Sequence, residues 1–119
     1  FAFASCSNLT TVVLGDGLKN IETSIFSGCT QLTAITMGNN IENIENGAFN
    51  KCEKLSSITL PVSVKFINQD AFEYCESLLQ ITYTGTTVKW KAIRKNDYWR
   101  RYSKISKVIC TDETITFDN

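Results

Sequence analysis

A 23-residue unit recurs along this chain, and that repeat constrains the fold more than any other feature of the sequence. Residues of the same type return at the same position of each unit without a gap, most clearly in the unit from Phe49 to Ala71. The recurring positions include Phe3, Phe26, Phe49 and Phe72; Cys6, Cys29, Cys52 and Cys75; Leu9, Leu32, Leu55 and Leu78; Val12, Ile35, Ile58 and Ile81; and Leu14, Met37, Leu60 and Tyr83. Chance does not keep so many columns in register, so the sequence predicts a repeat protein.

Each unit contains one short β-rich run, written LTTVVL in the first unit and LTAITM, LSSITL and LLQITY in the following ones. The alternation predicts that Val12 and Leu14 face inward and that Thr11 and Val13 face outward. A single unit buries too little apolar surface to be stable alone, whereas stacked units bury each inward residue against its counterparts. Because every unit follows the same path, its strands run parallel. The sequence therefore predicts a right-handed solenoid with one parallel strand per 23-residue coil.

The cysteine column is predicted to consist of free, buried thiols. Stacked side chains point the same way, with Cβ atoms about 4.7–4.9 Å apart at sheet spacing. A disulfide requires a Cβ separation of about 3.8 Å and side chains turned toward each other. A zinc site requires four ligands that converge on one point, whereas a column spreads them along a line. Cys110 lies outside the column and is also expected to be free.

The 23-residue period ends at Thr86. Residues 1–85 are therefore interpreted as about four coils, truncated at the N-terminal side, and residues 86–119 as a C-terminal cap packed on the last coil. The segment TTVKWKAIRKN predicts a helix that a Thr caps, with Val88 and Ala92 on its apolar face and Trp90 and Ile93 as further candidates. The runs KVIC and TITF flank the polar segment 111–113 and predict a hairpin.

The pattern AF-x2-C-x2-L-x2-I-x-L-P-x2-V-x2-I, from Ala48 to Ile67, resembles the BspA-like leucine-rich repeats. The resemblance covers residues 1–85, and Trp90, Ile93 and Trp99 are similar to a segment that often follows such repeats. It implies a leucine-rich repeat solenoid in a non-enzymatic, secreted or surface-attached binding protein, often of bacteria that live with a host. Some members of the family are adhesins for host matrix proteins or for other cells.

Several classes of function lack the residues that they require. The chain contains no histidine, which removes the usual base of serine and cysteine hydrolases and the commonest metal ligand. The carboxylate pairs Glu42 with Glu45 and Glu73 with Glu76 occupy outward positions, where a solvated surface is the simpler interpretation. We therefore expect no enzyme activity, no catalytic residue, no cofactor and no metal.

The charge and hydropathy of the chain limit its partners. The net charge is zero, so no nucleic acid is expected as a partner. The sequence has no apolar run of about 18 residues, so no membrane span is expected. The chain begins part-way through a unit, without an initiator Met, and we interpret it as a piece of a longer protein.

The outward positions of the main strands are the first candidate for a protein-binding face. They are small and uncharged, and none is a Trp, Tyr or Arg, the residue types that dominate interface energetics. Weak contacts spread over several repeats fit such a surface better than one strong anchor. The candidate face consists of Thr11, Val13, Ala34, Thr36, Ser57, Thr59, Gln80 and Thr82.

A basic segment near the C-terminus is the second candidate. Residues 86–109 carry eight Lys and Arg against one Asp, a net charge of +7, whereas residues 1–85 carry eight acidic residues against four Lys, a net of −4. Tyr98, Trp99 and Tyr102 are interleaved with the cations. Such a surface suits an acidic glycan, whereas a cap with buried aromatics and solvated lysines is the simpler interpretation. The candidate patch consists of Lys89, Lys91, Arg94, Lys95, Arg100 and Arg101.

Three functions remain open from the sequence. The first is protein binding or adhesion to host or neighbouring cells, with a protein partner of unknown identity. The second is a structural spacer within a larger surface protein. The third is acidic-glycan binding through the basic segment. The extracellular or cell-surface location that all three share rests on the family resemblance.

Overall fold

Short strands lie at the same place in each successive coil, and a computed structural model describes residues 2–117 of the chain. One helix interrupts the series near the C-terminal end. In chain order the elements are β1 Thr11–Val13, β2 Asn20–Ile21, β3 Ala34–Thr36, β4 Asn43–Ile44, β5 Ser57–Leu60, β6 Phe66–Ile67, β7 Gln80–Tyr83, α1 Thr87–Ala92, β8 Arg94–Lys95, β9 Lys107–Ile109 and β10 Thr114–Thr116.

The strands form two sheets that run along the stack of coils. The first has the order β1-β3-β5-β7-β9-β10, and the second has the order β2-β4-β6-β8. All neighbours pair in parallel except β9 and β10, which form the predicted antiparallel hairpin. The register places Val12 beside Ile35 and Ile35 beside Ile58, each one repeat period further along the chain. The predicted solenoid with parallel strands 23 residues apart is therefore confirmed, and each regular coil adds a second, shorter strand to the one that the sequence predicts.

The phenylalanine column forms a continuous stack through the core. The ring centroids of Phe3, Phe26, Phe49 and Phe72 are separated by 5.8, 5.7 and 5.5 Å, with interplanar angles of 12°, 13° and 6°. Offset stacking of this kind adds about 0.5–1.5 kcal/mol per pair beyond the apolar area that it buries. Phe26, Phe49 and Phe72 are fully buried, whereas Phe3 is 47% exposed in the first coil.

Burial alternates along the main strands as the sequence predicts. Ile58 and Leu60 are buried in β5, while Ser57 and Thr59 are exposed. The first coil departs from this rule, because it has a neighbour on one side only within the described chain. Leu18, which lies one repeat period before the buried Ile41, is 45% exposed.

The helix α1 buries a different side chain from those predicted first. Val88 is 75% exposed and Ala92 is also exposed, so their assignment to the apolar face is wrong. Trp90 is 2% exposed and packs edge-on against Tyr83 at 5.3 Å. A six-residue helix makes fewer than two turns, and one indole is large enough to fill the space beneath it.

Both ends of α1 are capped by hydrogen bonds. Thr86 is the predicted N-cap, and its hydroxyl accepts from the backbone N–H of Lys89 at 3.3 Å. At the other end the backbone N–H of Ile93 donates to the carbonyl of Trp90 at 3.1 Å. These contacts confirm the Thr cap. The helix itself is shorter than the predicted segment TTVKWKAIRKN, since it ends at Ala92.

After α1 the chain resumes the path of a coil. The strand β8 pairs in parallel with β6, and β9 pairs in parallel with β7. Trp99 extends the phenylalanine column, with its ring edge-on to Phe72 at 6.2 Å. Trp99 follows Phe72 by more than one 23-residue period, because α1 adds residues to this coil. The division between coils 1–85 and a cap 86–119 stays a prediction, and residues 118 and 119 lie outside the described part.

A recurring position in the coils adopts the left-handed backbone conformation. It follows the column phenylalanine by two positions in the regular coils and is Gly28 with a φ of 75°, Lys51 with a φ of 63° and Tyr74 with a φ of 60°. Tyr102, three positions after Trp99 in the last coil, has the same conformation with a φ of 57°. A side chain at this position carries a conformational cost of about 1–2 kcal/mol, which the hydrogen bonds to the next coil offset. One such bond joins the backbone N–H of Lys51 to the carbonyl of Glu73 at 2.7 Å.

Candidate functional site

The predicted sheet face is formed by the outward side chains of β1, β3, β5 and β7. Thr36, Ser57 and Thr59 are exposed there, and Ala34 and Gln80 are half-buried. A depression of about 260 Å³ crosses the middle of this face. The face is flat and uncharged, and it suits contact spread over several coils. Its remaining predicted residues are all exposed: Thr11, Val13 and Thr82.

Lys95 of the predicted basic patch has an internal role. Its Nζ atom donates to the carbonyl oxygens of Trp90 and Ile93 at 3.0 and 2.9 Å, and it lies 5.0 Å from the centroid of the Trp90 ring. Burial lowers the pKa of the Lys95 amine. This cation therefore stabilises the end of α1 by donating to a carbonyl of its last turn and to that of the residue that follows the helix.

Arg101 and Arg100 also contact their own chain. The Arg101 guanidinium donates to both carboxylate oxygens of Asp70, at 3.1 and 3.0 Å, and lies 3.8 Å from Glu73. The hydrogen bond with Asp70 raises the pKa of the Arg101 side chain. Arg100 donates to the carbonyl of Ile105 at 3.1 Å, and its guanidinium lies 4.3 Å from the centroid of the Phe117 ring. Arg101 therefore links the last coil to the preceding one, and Arg100 joins segments within the C-terminal part.

The other three cations of the predicted patch are at the surface. Lys89 and Lys91 are exposed on α1, and Arg94 is exposed on β8 with its guanidinium 5.9 Å from the centroid of the Phe66 ring. Lys89 and Arg94 line one cleft, which Lys91 does not line. The six cations therefore do not form one uniform surface.

A cluster of three tyrosines and one arginine forms a surface that the sequence analysis missed as a unit. Tyr74 and Tyr102 stack at 5.3 Å with an interplanar angle of 12°, and the Arg101 guanidinium lies 4.6 Å from the centroid of the Tyr98 ring and 5.4 Å from that of Tyr102. The tyrosines are 41%, 51% and 60% exposed, in the order Tyr74, Tyr98 and Tyr102. We call these four residues the tyrosine–arginine cluster.

A signal for this cluster exists in the sequence. Tyr74 occupies the left-handed position that holds Gly28 and Lys51 in the preceding coils. Because glycine also occurs at this position, packing within the solenoid does not require an aromatic ring there. An exposed tyrosine at this place, stacked on Tyr102 of the next coil, therefore favours a role at the surface.

The buried members of the cysteine column are poor candidates for a reactive nucleophile. Cys29, Cys52 and Cys75 are free and buried, as predicted, whereas Cys6 in the first coil is free but only half-buried; Cys110 is also free and buried. Burial raises the pKa of Cys52 to about 12 and that of Cys75 well above its usual value. Because the thiolate is the nucleophilic form, burial disfavours reaction at these thiols in the folded protein.

Residues 2–117 form neither a metal-binding cluster nor a membrane-spanning helix. Within this range no three Cys, Asp or Glu side chains gather in a way that would hold a metal ion. No helix in the same range is long and apolar enough to cross a membrane.

Comparison with known proteins identifies the repeat. The model of the BspA type leucine rich repeat region matches residues 1–118 with six copies of the repeat. No curated protein matches the chain.

Two solved bacterial structures share the fold. A leucine rich repeat protein of T. pallidum superposes with a TM-score of 0.76 and is 28% identical, over 90% of this chain and 48% of its own. A leucine rich cell surface protein of Faecalibacterium prausnitzii gives a TM-score of 0.69 and 29% identity, over 81% of this chain and 31% of its own. The chain thus spans about half or less of these relatives. With the repeat matched almost from end to end, the chain belongs to the BspA-type leucine-rich repeat family.

Proposed function

We propose that this chain is a non-enzymatic, protein-binding part of a bacterial cell-surface protein that mediates adhesion to host or neighbouring cells. The tyrosine–arginine cluster carries the proposal. Tyrosine and arginine are among the residue types that dominate binding energy at protein interfaces. The family of the chain and the surface description of the F. prausnitzii relative support the extracellular setting.

The cluster is ordered before any partner arrives. Asp70 and Glu73 hold Arg101, and the stacked pair Tyr74 and Tyr102 restricts the motion of both rings. A partner therefore loses little side-chain entropy when it packs on these residues. The phenol oxygens remain available for hydrogen bonds around an apolar contact.

The sheet face supplies a second, weaker contact surface in this proposal. Its exposed Thr36, Thr59 and Thr82 offer hydroxyl groups on a flat support, and the first sheet extends them over successive coils. Such contacts add across repeats by multivalency. Acidic-glycan binding is the less favoured alternative, because Lys95, Arg100 and Arg101 already bind groups of their own chain.

The test measures binding of the protein to immobilised host matrix proteins and to sulfated glycans, at low and high salt. A cluster variant with Tyr98→Ser and Tyr102→Ser is compared with Val88→Ser, which removes a still more exposed apolar side chain elsewhere. We expect salt-resistant binding to a matrix protein that weakens by about tenfold or more in the cluster variant. The Val88→Ser control should bind as the parent does.

Three outcomes contradict parts of the proposal. Equal binding by the cluster variant and the parent removes the cluster from the interface. Binding to glycans alone, lost at high salt, moves the site to the basic residues. A folded protein that binds no member of the panel supports the spacer function instead.

A further inference from the structure

A cleft of about 560 Å³ lies between α1 and the preceding coil. Its apolar lining includes Val64, Tyr83 and Ile93, which are 3%, 2% and 6% exposed and form the floor. Val62 and Phe66 are 46% and 39% exposed and form its walls. We call this space the helix cleft. Its volume falls within the range of sites that hold small molecules in other proteins, about 300–1,000 Å³.

The helix cleft exists because the chain departs from the regular repeat at this point. In the preceding coil a short turn joins β5 to β6, whereas the segment between β7 and β8 carries α1. The indole of Trp90 fills the space beneath the helix toward Tyr83, at a centroid distance of 5.3 Å. The opposite side of the helix, toward Val62 and Val64, leaves the helix cleft open.

The charged residues that line the helix cleft are all cationic. They are Lys65, Lys89 and Arg94, and no carboxylate of the described residues lines it. Lys65 contacts Glu42 at 3.4 Å, but the Lys65 side chain remains 65% exposed, and such surface pairs contribute little. An apolar floor beneath an unbalanced cationic rim complements a ligand that combines an apolar body with an anionic group.

We infer that the helix cleft binds a small amphiphilic carboxylate, independently of the protein partner proposed above. The apolar body lies between Val62 and Ile93, and the carboxylate is held by Lys89 and Arg94. The lysine amine and the arginine guanidinium are donors that suit a carboxylate. A neutral apolar compound packs against the apolar walls but makes no ionic contact with Lys89 and Arg94.

The test uses octanoate as the ligand, and octan-1-ol and octylammonium as matched neutral and cationic probes. Amide chemical shifts of the folded protein are followed by NMR during each titration. We expect shifts centred on residues 62–66 and 89–94, and a dissociation constant for octanoate about fivefold or more below that for octan-1-ol. Octylammonium should bind more weakly than octan-1-ol.

Two lysines of the same short helix provide a matched pair of variants. Lys89 lines the helix cleft, whereas Lys91 is exposed and does not line it. Lys89→Gln should weaken octanoate binding by about fivefold and leave octan-1-ol binding unchanged. Lys91→Gln makes the same change in net charge and should alter neither.

A third variant tests the location without relying on charge. Ala92 is exposed and lines the helix cleft, so Ala92→Phe adds a ring to the space without disturbing the core. It should abolish the binding of both octanoate and octan-1-ol.

Four results would overturn the inference. They are equal affinity for octanoate and octan-1-ol, equal loss in Lys89→Gln and Lys91→Gln, retained octanoate binding in Ala92→Phe, and no shift of the lining residues with any probe.

Discussion

The Sγ atom of Cys52 lies 3.2 Å from the carbonyl oxygen of Phe26, one coil earlier in the chain, and donates a hydrogen bond to it. The same bond joins Cys29 to Phe3 at 3.0 Å and Cys75 to Phe49 at 3.1 Å. Each buried thiol of the column therefore adds a hydrogen bond to a carbonyl of the preceding coil that already accepts from a backbone N–H. A cysteine is small enough for the buried column and still carries a donor, which accounts for its presence beside the phenylalanine stack.

The buried thiols predict a loss of stability at alkaline pH. Burial raises the pKa of Cys52 from 9.0 to about 12, so between these values the unfolded chain is ionised while the folded chain keeps the proton. The folded state then binds more protons, and the free energy of unfolding falls as the pH rises from 9 toward 12, by about 1.4 kcal/mol per pH unit for one thiol. Urea titrations monitored by circular dichroism at several pH values measure this slope.

Two variants separate the thiol from a general loss of packing. Cys52→Ala should be less stable at pH 7 but should show a shallower alkaline slope than the parent. Val64→Ala removes a buried side chain that does not titrate, so it should keep the slope of the parent. If Cys52→Ala and the parent have the same slope, ionisation of this thiol is not the cause.

Adjacent residues of β5 should respond oppositely to the same substitution. Ile58 is 2% exposed, whereas Thr59 faces outward beside Thr82 of the next coil. Ile58→Asp places a carboxylate without a partner in the core and should cost about 4 kcal/mol or more, enough to unfold a small domain. Thr59→Asp should stay folded. Circular dichroism compares the two, and equal folding of both variants would contradict the assignment of the two faces.

The regular coils could be predicted from the sequence because the period carries the register. When Ile35 and Ile58 occupy the same column in consecutive units, stacking of identical units leaves one parallel arrangement that buries both. The last coil could not be predicted in the same way. Beyond Thr86 no column fixes which residues face inward, and a short helix can bury its largest ring in place of its β-branched residues.

The candidate surfaces were predicted only in part. The outward threonines follow from alternation, and they lie on the sheet face as expected. The contact between Arg101 and Asp70 joins residues 31 positions apart, outside the 23-residue period. The sequence shows the positive charge of Arg101 but not the carboxylate that neutralises it. The helix cleft likewise depends on how far α1 projects from the coil, and the sequence pattern does not predict that distance.

The left-handed position provides a test of stability through the backbone. Lys51 has a φ of 63°, a conformation in which Gly has no steric cost. Lys51→Gly should therefore raise the free energy of unfolding by about 0.5–1 kcal/mol, measured by urea denaturation. Lys51→Ala keeps a Cβ atom and should change it little. A stabilisation of the alanine variant equal to that of the glycine variant would show that the lysine side chain, and not the backbone, is the source.

The helix α1 gives the sharpest contrast between what the sequence favoured and what the structure contains. Trp90 is 2% exposed and contacts Tyr83 and Trp99 at ring-centroid distances of 5.3 and 5.7 Å, whereas Val88 is 75% exposed. Trp90→Ala leaves a large cavity between α1 and the last regular coil and should cost about 3–5 kcal/mol.

Val88→Ala is the matched control on the same helix, and it should change the free energy of unfolding by less than about 0.5 kcal/mol. Thermal unfolding followed by circular dichroism, with urea titration of the two variants, measures both. A large loss of stability in Val88→Ala together with a small loss in Trp90→Ala would show that the helix packs through the residues that the sequence predicts for its apolar face. The opposite result identifies one indole as the side chain that closes the solenoid at its last coil.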